Sequence, residues 1–234
     1  MMSRMALDRL QVDGSVHALR PDFAVLALVA EGVVNGPGDD VSGTALADAE
    51  AFARTAPAGP PPHVAAWHDA YRAFGARPQR TAPSVDALWK RALGPGLPRV
   101  NWLVDLYNAV SVRHVLPVGG EDLDRYEGPI RLVRATGQER FETVKDGAPA
   151  DDPPSPGEVV WVDDLGVTCR RWNWRQCTRT RLTESSTRAL FLLERLAPMS
   201  LDALDAAGDA LVAALEARSP GVRLARRRLG PVSC

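Results

Sequence analysis

Lysine is almost missing from this sequence: of 28 basic residues only Lys90 and Lys145 are lysines, a skew that reads as composition bias and not as a functional choice. Cysteine is scarce. Cys169, Cys177 and Cys234 form an odd set with no CxxC and no Cys/His cluster, which argues against a zinc site and for a reduced, cytoplasmic setting. Of the four histidines, His63 and His68 stand five apart and share a helix face poorly, so they read as surface or lining residues and no metal is expected. Net charge is −1, so no global field recruits nucleic acid, and any RNA contact must come from a local patch. The apolar run Phe23 to Ala30 is too short to span a bilayer, and Met1 to Gly14 lacks the apolar core of a signal peptide. HExxH, GxxxxGK[ST] and GxGxxG are absent, as are repeats and low-complexity tracts, so no metal or nucleotide cofactor is expected.

What is present is enough for one sizeable domain with its own core, 234 residues of ordinary globular composition. Phe23 to Ala30, ended by Asn35-Gly36-Pro37-Gly38, predicts a strand buried on both faces. Helices are expected over 44–54, 63–74 and 84–93, the last capped by Ser84. Further on, 130–134 and 140–144 read as strands joined by a turn around Gly137, followed by a Pro-rich loop over 149–156. A second hairpin, 159–162 with 167–171, turns at Asp163-Asp164-Leu165-Gly166. Segments 186–195 and 201–218 read as amphipathic helices. The tail from Val222 is either a last strand or a basic extension. The expected class is α+β, a layered sheet-and-helix single domain: 1–73 completing the fold, 74–195 the core, 196–234 a helix and basic tail.

Chemistry concentrates in two stretches. In the first, Leu97 to Gly128, a helix from Val100 to His114 carries an apolar stripe. Asn101, Asp105 and Asn108 fall at i, i+4 and i+7 on one face beside Trp102. Short amides and a carboxylate in a row suit the gripping of a ligand backbone or a neighbouring loop. Leu116-Pro117 stops the helix, and Gly119-Gly120 is read as a turn whose backbone can approach a ligand closely. In the second stretch, Arg170 to Arg181, an extended chain would set Arg171, Asn173 and Arg175 on one side and Trp172, Trp174 and Gln176 on the other. Arginines beside tryptophans suit RNA, by bidentate phosphate contacts and base stacking. The alternative is that both indoles are core and the arginines pair with acidic turns.

The order Arg99-Val100-Asn101-Trp102-Leu103-Val104-Asp105-Leu106-Tyr107-Asn108, then Pro117-Val118-Gly119-Gly120-Glu121-Asp122-Leu123, resembles the B3/B4 domain of the bacterial phenylalanyl-tRNA synthetase beta subunit. It is still more similar to free-standing B3/B4 proteins. Pro156 to Val160 and Arg170 to Gln176 extend the resemblance, which covers roughly Phe74 to Leu193. It implies a trans-acting editing pocket that hydrolyses mischarged tRNA, with the tRNA 3′ aminoacyl end and an amino acid as partners and neither DNA nor membrane. Three positions depart from the synthetase motif: Trp102 stands for a second Asn, Gly119 for a His, and the pocket Glu is either absent or moved one residue along to Glu158. On this basis Asn101 and Glu158 are the expected catalytic residues. Trp102, Asp105, Asn108, Gly119, Gly120 and Asn173 are the expected substrate contacts, and Arg99, Arg171, Trp174 and Arg175 the expected RNA contacts. Such esters are already activated, so a positioned water and oxyanion donors can suffice without nucleophile or metal. A non-catalytic module binding tRNA or amino acid stands as the alternative.

Overall fold

A computed structural model describes residues 6–231. Cys234, one of the three cysteines weighed above, lies outside the described residues. The elements in chain order are β1 (Gln11–Val12), α1 (Gly14–Leu19), β2 (Ala24–Glu31), α2 (Asp40–Thr55), α3 (Pro62–Ala73), α4 (Ser84–Leu93) and α5 (Trp102–His114). Then follow β3 (Val118–Asp122), β4 (Arg131–Arg134), β5 (Glu142–Lys145), β6 (Ala148–Asp151), β7 (Val159–Val162), β8 (Val167–Arg170), β9 (Arg175–Gln176), β10 (Arg188–Arg195), α6 (Leu201–Arg218) and β11 (Arg223–Leu229). Two larger sheets organise them into a single α+β domain. One has order β11-β2-β10-β3 and is antiparallel throughout; the other has order β1-β4-β7-β8-β9, with only β1 parallel to its neighbour.

The four-stranded sheet separates two cores, which explains why its central strands lack alternation. Along β2, Ala24, Leu26, Leu28 and Ala30 face α5 and α6, meeting Leu103, Leu106, Leu204 and Leu211. Val25, Ala27 and Val29 face the other way, toward α3 and the five-stranded sheet through Trp67, Leu132, Trp161 and Trp172. A strand buried on both faces needs apolar residues at every position. The expectation for Phe23 to Ala30 is met on this account.

The same physics overturns the helix expected over 186–195. That segment is β10, paired along its whole length with β2 and along five residues with β3. Phe191 and Leu193 enter one core, Leu190 and Leu192 the other. A short continuous apolar run carries no periodicity, so neighbours and not the local pattern decide its state.

Other expectations shift more modestly. The strands at 130–134 and 140–144 do not pair with each other: β4 joins β1 and β7, while β5 pairs with β6, which forms inside the Pro-rich stretch. Ser84 does not cap α4, because Pro83 occupies the cap position and makes no side-chain bond. Gly119-Gly120 is not a turn but the middle of β3. A Cβ on Gly120 would lie 2.6 Å from a Tyr107 ring carbon, so glycine here lets β3 lie against α5. The tail is a strand, β11. Its Arg226 and Arg228 pair at 2.5 Å with Asp209 and Asp205 of α6, which leaves little free charge there for a polyanion.

Candidate functional site

A cavity of about 250 Å³ opens between α4, α5, β3, β10 and the β8–β9 loop. Its walls include Tyr107 and Asn108 from α5, Gly119 and Glu121 from β3, Trp161 and Cys169 from the five-stranded sheet, and Leu192 and Glu194 from β10. The loop contributes Asn173, Trp174, Arg175 and Gln176. Buried residues form the floor; exposed Arg175 and half-buried Trp174 form the rim.

The loop is built differently from an extended strand. Arg171 and Trp172 both have left-handed backbone, φ 46° and 68°, a conformation that costs on the order of 1 kcal/mol for a side-chain-bearing residue. The Trp174 amide closes the turn by donating to the Arg170 carbonyl at 3.0 Å. The reversal breaks the expected alternation. Trp172 is fully buried, edge-on to Phe23 and Trp67 at 5.0 and 5.3 Å, and borders the cavity from the core, while the more exposed Asn173, Trp174 and Arg175 line it as well. Burial of Trp172 among aromatic rings offsets the strained turn. The core reading holds for Trp172, whereas Trp174 is half-buried at the cavity rim.

Glu194 is the most consequential residue on the floor. It is 2% exposed and accepts from the Trp161 indole N–H at 2.8 Å and from Asn173 Nδ2 at 2.7 Å. No ion pair to it exists among the described residues. Removal from water dominates its titration and, with the nearby Glu121 charge, pushes its carboxyl up to about 8 against the two hydrogen bonds that favour ionisation. Glu121 is also buried and raised, chiefly by desolvation; it accepts from the Tyr126 hydroxyl at 2.6 Å. Asn173 is itself fixed, since its Oδ1 accepts from the Tyr71 hydroxyl at 2.8 Å. Cys169 touches the cavity as a thiol, because burial raises its pKa well above the usual range. Asn108 lines the wall with no side-chain partner among the described residues, and the Ser84 hydroxyl there is equally unpartnered.

The structure does not bring all the sequence-predicted residues together. Asn108, Gly119, Asn173, Trp174 and Arg175 meet in the cavity; Asn101, Asp105, Trp102, Gly120, Arg99, Arg171 and Glu158 do not line it. Asn101 is the N-cap of α5: Oδ1 accepts from the Val104 amide at 3.1 Å, and Nδ2 donates to the Leu182 carbonyl at 3.2 Å. Asp105 accepts from the Val100 amide at 2.8 Å, and burial raises its carboxyl. The polar row thus runs from a cap into the cavity, and only its Asn108 end reaches the open space. Trp102 is core, under the Arg218 guanidinium at 5.3 Å. The Gly120 carbonyl is taken by Gln176 Nε2 at 2.8 Å. Arg99 is exposed beside Gly43 of α2.

Glu158 is held in a dense ion-pair arrangement. Arg170 grips both its oxygens at 2.9 Å, and the Arg171 and Ser155 amides also donate to it. Arg171 lies 4.3 Å and Arg175 4.5 Å from the centre of the Trp174 ring. Glu194, Glu121 and Gln176 were missed in the sequence. Only the correct reading of β10 would have pointed Glu194 inward, on the face shared with Leu190 and Leu192. His63 bridges the Val115 carbonyl and the Leu196 amide, its pKa lowered to about 4 by burial, and His68 contacts Asp86 at 2.7 Å.

Comparison with known proteins supplies the family. The B3/4 domain model matches residues 66–205. No curated protein matches the chain. Among solved structures, it is similar to an N-terminal fragment of the phenylalanyl-tRNA synthetase beta-subunit from Pyrococcus horikoshii, with a TM-score of 0.52 and 13% identity over 96% of this chain and 55% of that one. The chain therefore spans about half of the length of that fragment, and the likeness is one of fold. Because the family model covers more than half of the sequence, the chain belongs to the B3/4 domain family.

Proposed function

We propose that the cavity receives the aminoacyl 3′ end of a tRNA and that the protein hydrolyses the ester between amino acid and ribose. The observation that carries this reading is Glu194: a buried carboxyl with no cationic partner among the described residues, in a cavity rimmed by the Trp174 indole and the Arg175 guanidinium. Ionised, Glu194 removes a proton from water as the water oxygen bonds to the ester carbonyl carbon. Asn108 Nδ2 is free to donate to the oxyanion. When the carbonyl re-forms, the carbon–oxygen bond to ribose breaks and the ribose oxygen takes the proton back from Glu194. Neither a covalent intermediate nor a side-chain nucleophile is required, in keeping with a protonated Cys169.

Trp174 offers the terminal base a stacking face, and Arg171 and Arg175 beside it offer phosphate contacts. The fold of the synthetase fragment supports a tRNA-related partner. Glu158 supports the site from behind by holding Arg170 and Arg171, and Asn101 does so by anchoring α5, so this reading gives the base role to Glu194. Amino acids of modest size fit a cavity of about 250 Å³.

Deacylation of a panel of mischarged tRNAs by the wild-type chain and by Glu194→Gln tests the reading. Hydrolysis by the first and not by the second is expected. If wild type hydrolyses none of the panel yet binds tRNA or free amino acid, the protein is a binding module. Full activity of Glu194→Gln would remove the base assignment.

A further inference from the structure

A second pocket, also of about 250 Å³, is bordered by the Arg171 side chain, which follows Arg170 at the start of the loop that carries Asn173 and Trp174 into the main cavity. It is lined by the turn that follows α3 and by Ser155, Glu158 and Arg171. The turn is tightly made. Gly75 takes φ +88°, and the Arg80 and Thr81 amides both donate to the Arg77 carbonyl, so Arg77 and Arg80 emerge from one closed loop. Both side chains are exposed and neither has a hydrogen-bond or ion-pair partner among the described residues. That sets them apart from Arg226 and Arg228 of β11, which are paired to acids on α6.

The one acid in the pocket does not cancel this charge. Arg170 clamps both oxygens of Glu158 and Arg171 lies 3.7 Å from one of them, so the unpaired charge around the opening is that of Arg77 and Arg80. Three guanidiniums about one small pocket present forked donors matched to phosphate oxygens. The pocket is linked to the main site through the contact between Arg171 and Trp174. Arg171 lines it and at the same time lies 4.3 Å from the Trp174 ring that lines the cavity. A strand whose terminal base rests on Trp174 would carry its preceding phosphates toward Arg77 and Arg80.

We propose that Arg77, Arg80 and Arg171 form a phosphate-backbone subsite for the RNA strand whose 3′ end enters the main cavity. The proposal rests on the reading of the cavity given above and adds Arg77 and Arg80, which that reading does not use. Arg77 and Arg80 set affinity and approach direction; they do not touch the ester.

The test compares two probes on the full chain. One is an unacylated tRNA acceptor-stem hairpin with its single-stranded 3′ end; the other is a panel of 3′-O-aminoacyl adenosines, which keep the ester and terminal base but carry no phosphate. For Arg77→Ala/Arg80→Ala, hairpin affinity should fall roughly 10-fold near physiological salt. The slope of log affinity against log salt should drop by about 1.4, as two single-strand phosphate contacts require. Turnover of the aminoacyl adenosines should stay at the wild-type rate. Arg77→Lys/Arg80→Lys should recover most of the salt slope, because it keeps the charge, and part of the affinity. Unchanged hairpin affinity and slope in the alanine variant would overturn the subsite while leaving the hydrolytic reading intact if the adenosine esters are still cleaved. Hairpin binding lost in the alanine variant, with no ester of the panel cleaved by wild type, would keep the subsite and remove hydrolysis. Saturable inorganic phosphate binding that needs Arg77 and Arg80, with hairpin affinity untouched, would overturn RNA as the occupant.

Discussion

Glu158 and Glu194 are 4% and 2% exposed, yet their surroundings treat the same carboxylate in opposite ways. Glu158 meets a guanidinium in a two-pronged contact, with backbone amides filling the remaining acceptor positions. Glu194 meets only neutral donors, an indole and an amide, and a second acid nearby. A paired buried charge is ionised and fixed, whereas an unpaired one is held near the point of titration at neutral pH. Burial of an acid is therefore no guide to its role until its partner is known. One acid organises the arginines beside Trp174; the other is left free to exchange a proton.

The largest expected effect separates the two directly. Glu194→Gln should lower deacylation by about 10²- to 10⁴-fold, the range that a positioned general base contributes. Single-turnover kinetics on a mischarged tRNA would show whether the loss lies in the chemical step. Glu158→Ala, by contrast, should act on the fold: stripping a partner from buried Arg170 costs about 3 kcal/mol, moderated by the contact that Arg170 retains with Asp152 at 2.5 Å. Denaturant melts should register it, while the rate per folded molecule changes far less than in Glu194→Gln. The reverse pattern would exchange the two roles.

The pH dependence follows from the same contrast. Because the Glu194 carboxyl titrates near 8 in the folded protein, its base form grows as pH rises, and kcat should climb with an apparent midpoint near 8. Stability should move the other way. A carboxyl raised above its unfolded value of about 4.3 contributes fully below that value and loses its contribution as pH rises through 8. Thermal melts across pH 5 to 9 should show a falling midpoint that Glu194→Gln flattens. His63 contributes with the opposite sign, its stabilisation present above about 6.5 and lost as pH falls through 4.

Smaller effects sharpen the rim. Arg171→Ala/Arg175→Ala should weaken tRNA binding and lower its salt slope by about 0.7 for each phosphate contact removed; unchanged slopes would show that these guanidiniums serve only Trp174 and Glu158. Asn101→Ala should be the mildest, a cap loss of about 1 kcal/mol seen in melts with catalysis per folded molecule retained. A drop in turnover beyond the stability loss would return Asn101 to the site.

How much of the site was legible depended on the kind of signal. Asn108, Asn173, Trp174 and Arg175 were found because a polar row on a helix and an Arg/Trp cluster are local patterns. Glu194 was invisible, since Ala189 to Leu193 reads equally as helix or strand, and only the pairing of β10 between β2 and β3 settles which. Asn101 was placed on the right helix in the wrong position: at the cap, its side chain serves the backbone instead of a ligand.

By itself the sequence determined the α+β class, the doubly buried β2, the helices α2 to α6 to within a few residues, and the B3/4 resemblance. The strand and the helices rest on composition and short-range periodicity, which act along the chain; the resemblance, and the class with it, rests on the order of motifs from Arg99 to Gln176. Only the tertiary structure decided which of two acids has a cation partner and which loop tryptophan is buried and which stands at the cavity rim. Those outcomes depend on groups brought together from distant segments, Glu194 with Trp161 and Asn173, and Glu158 with Arg170, and on the desolvation their burial imposes.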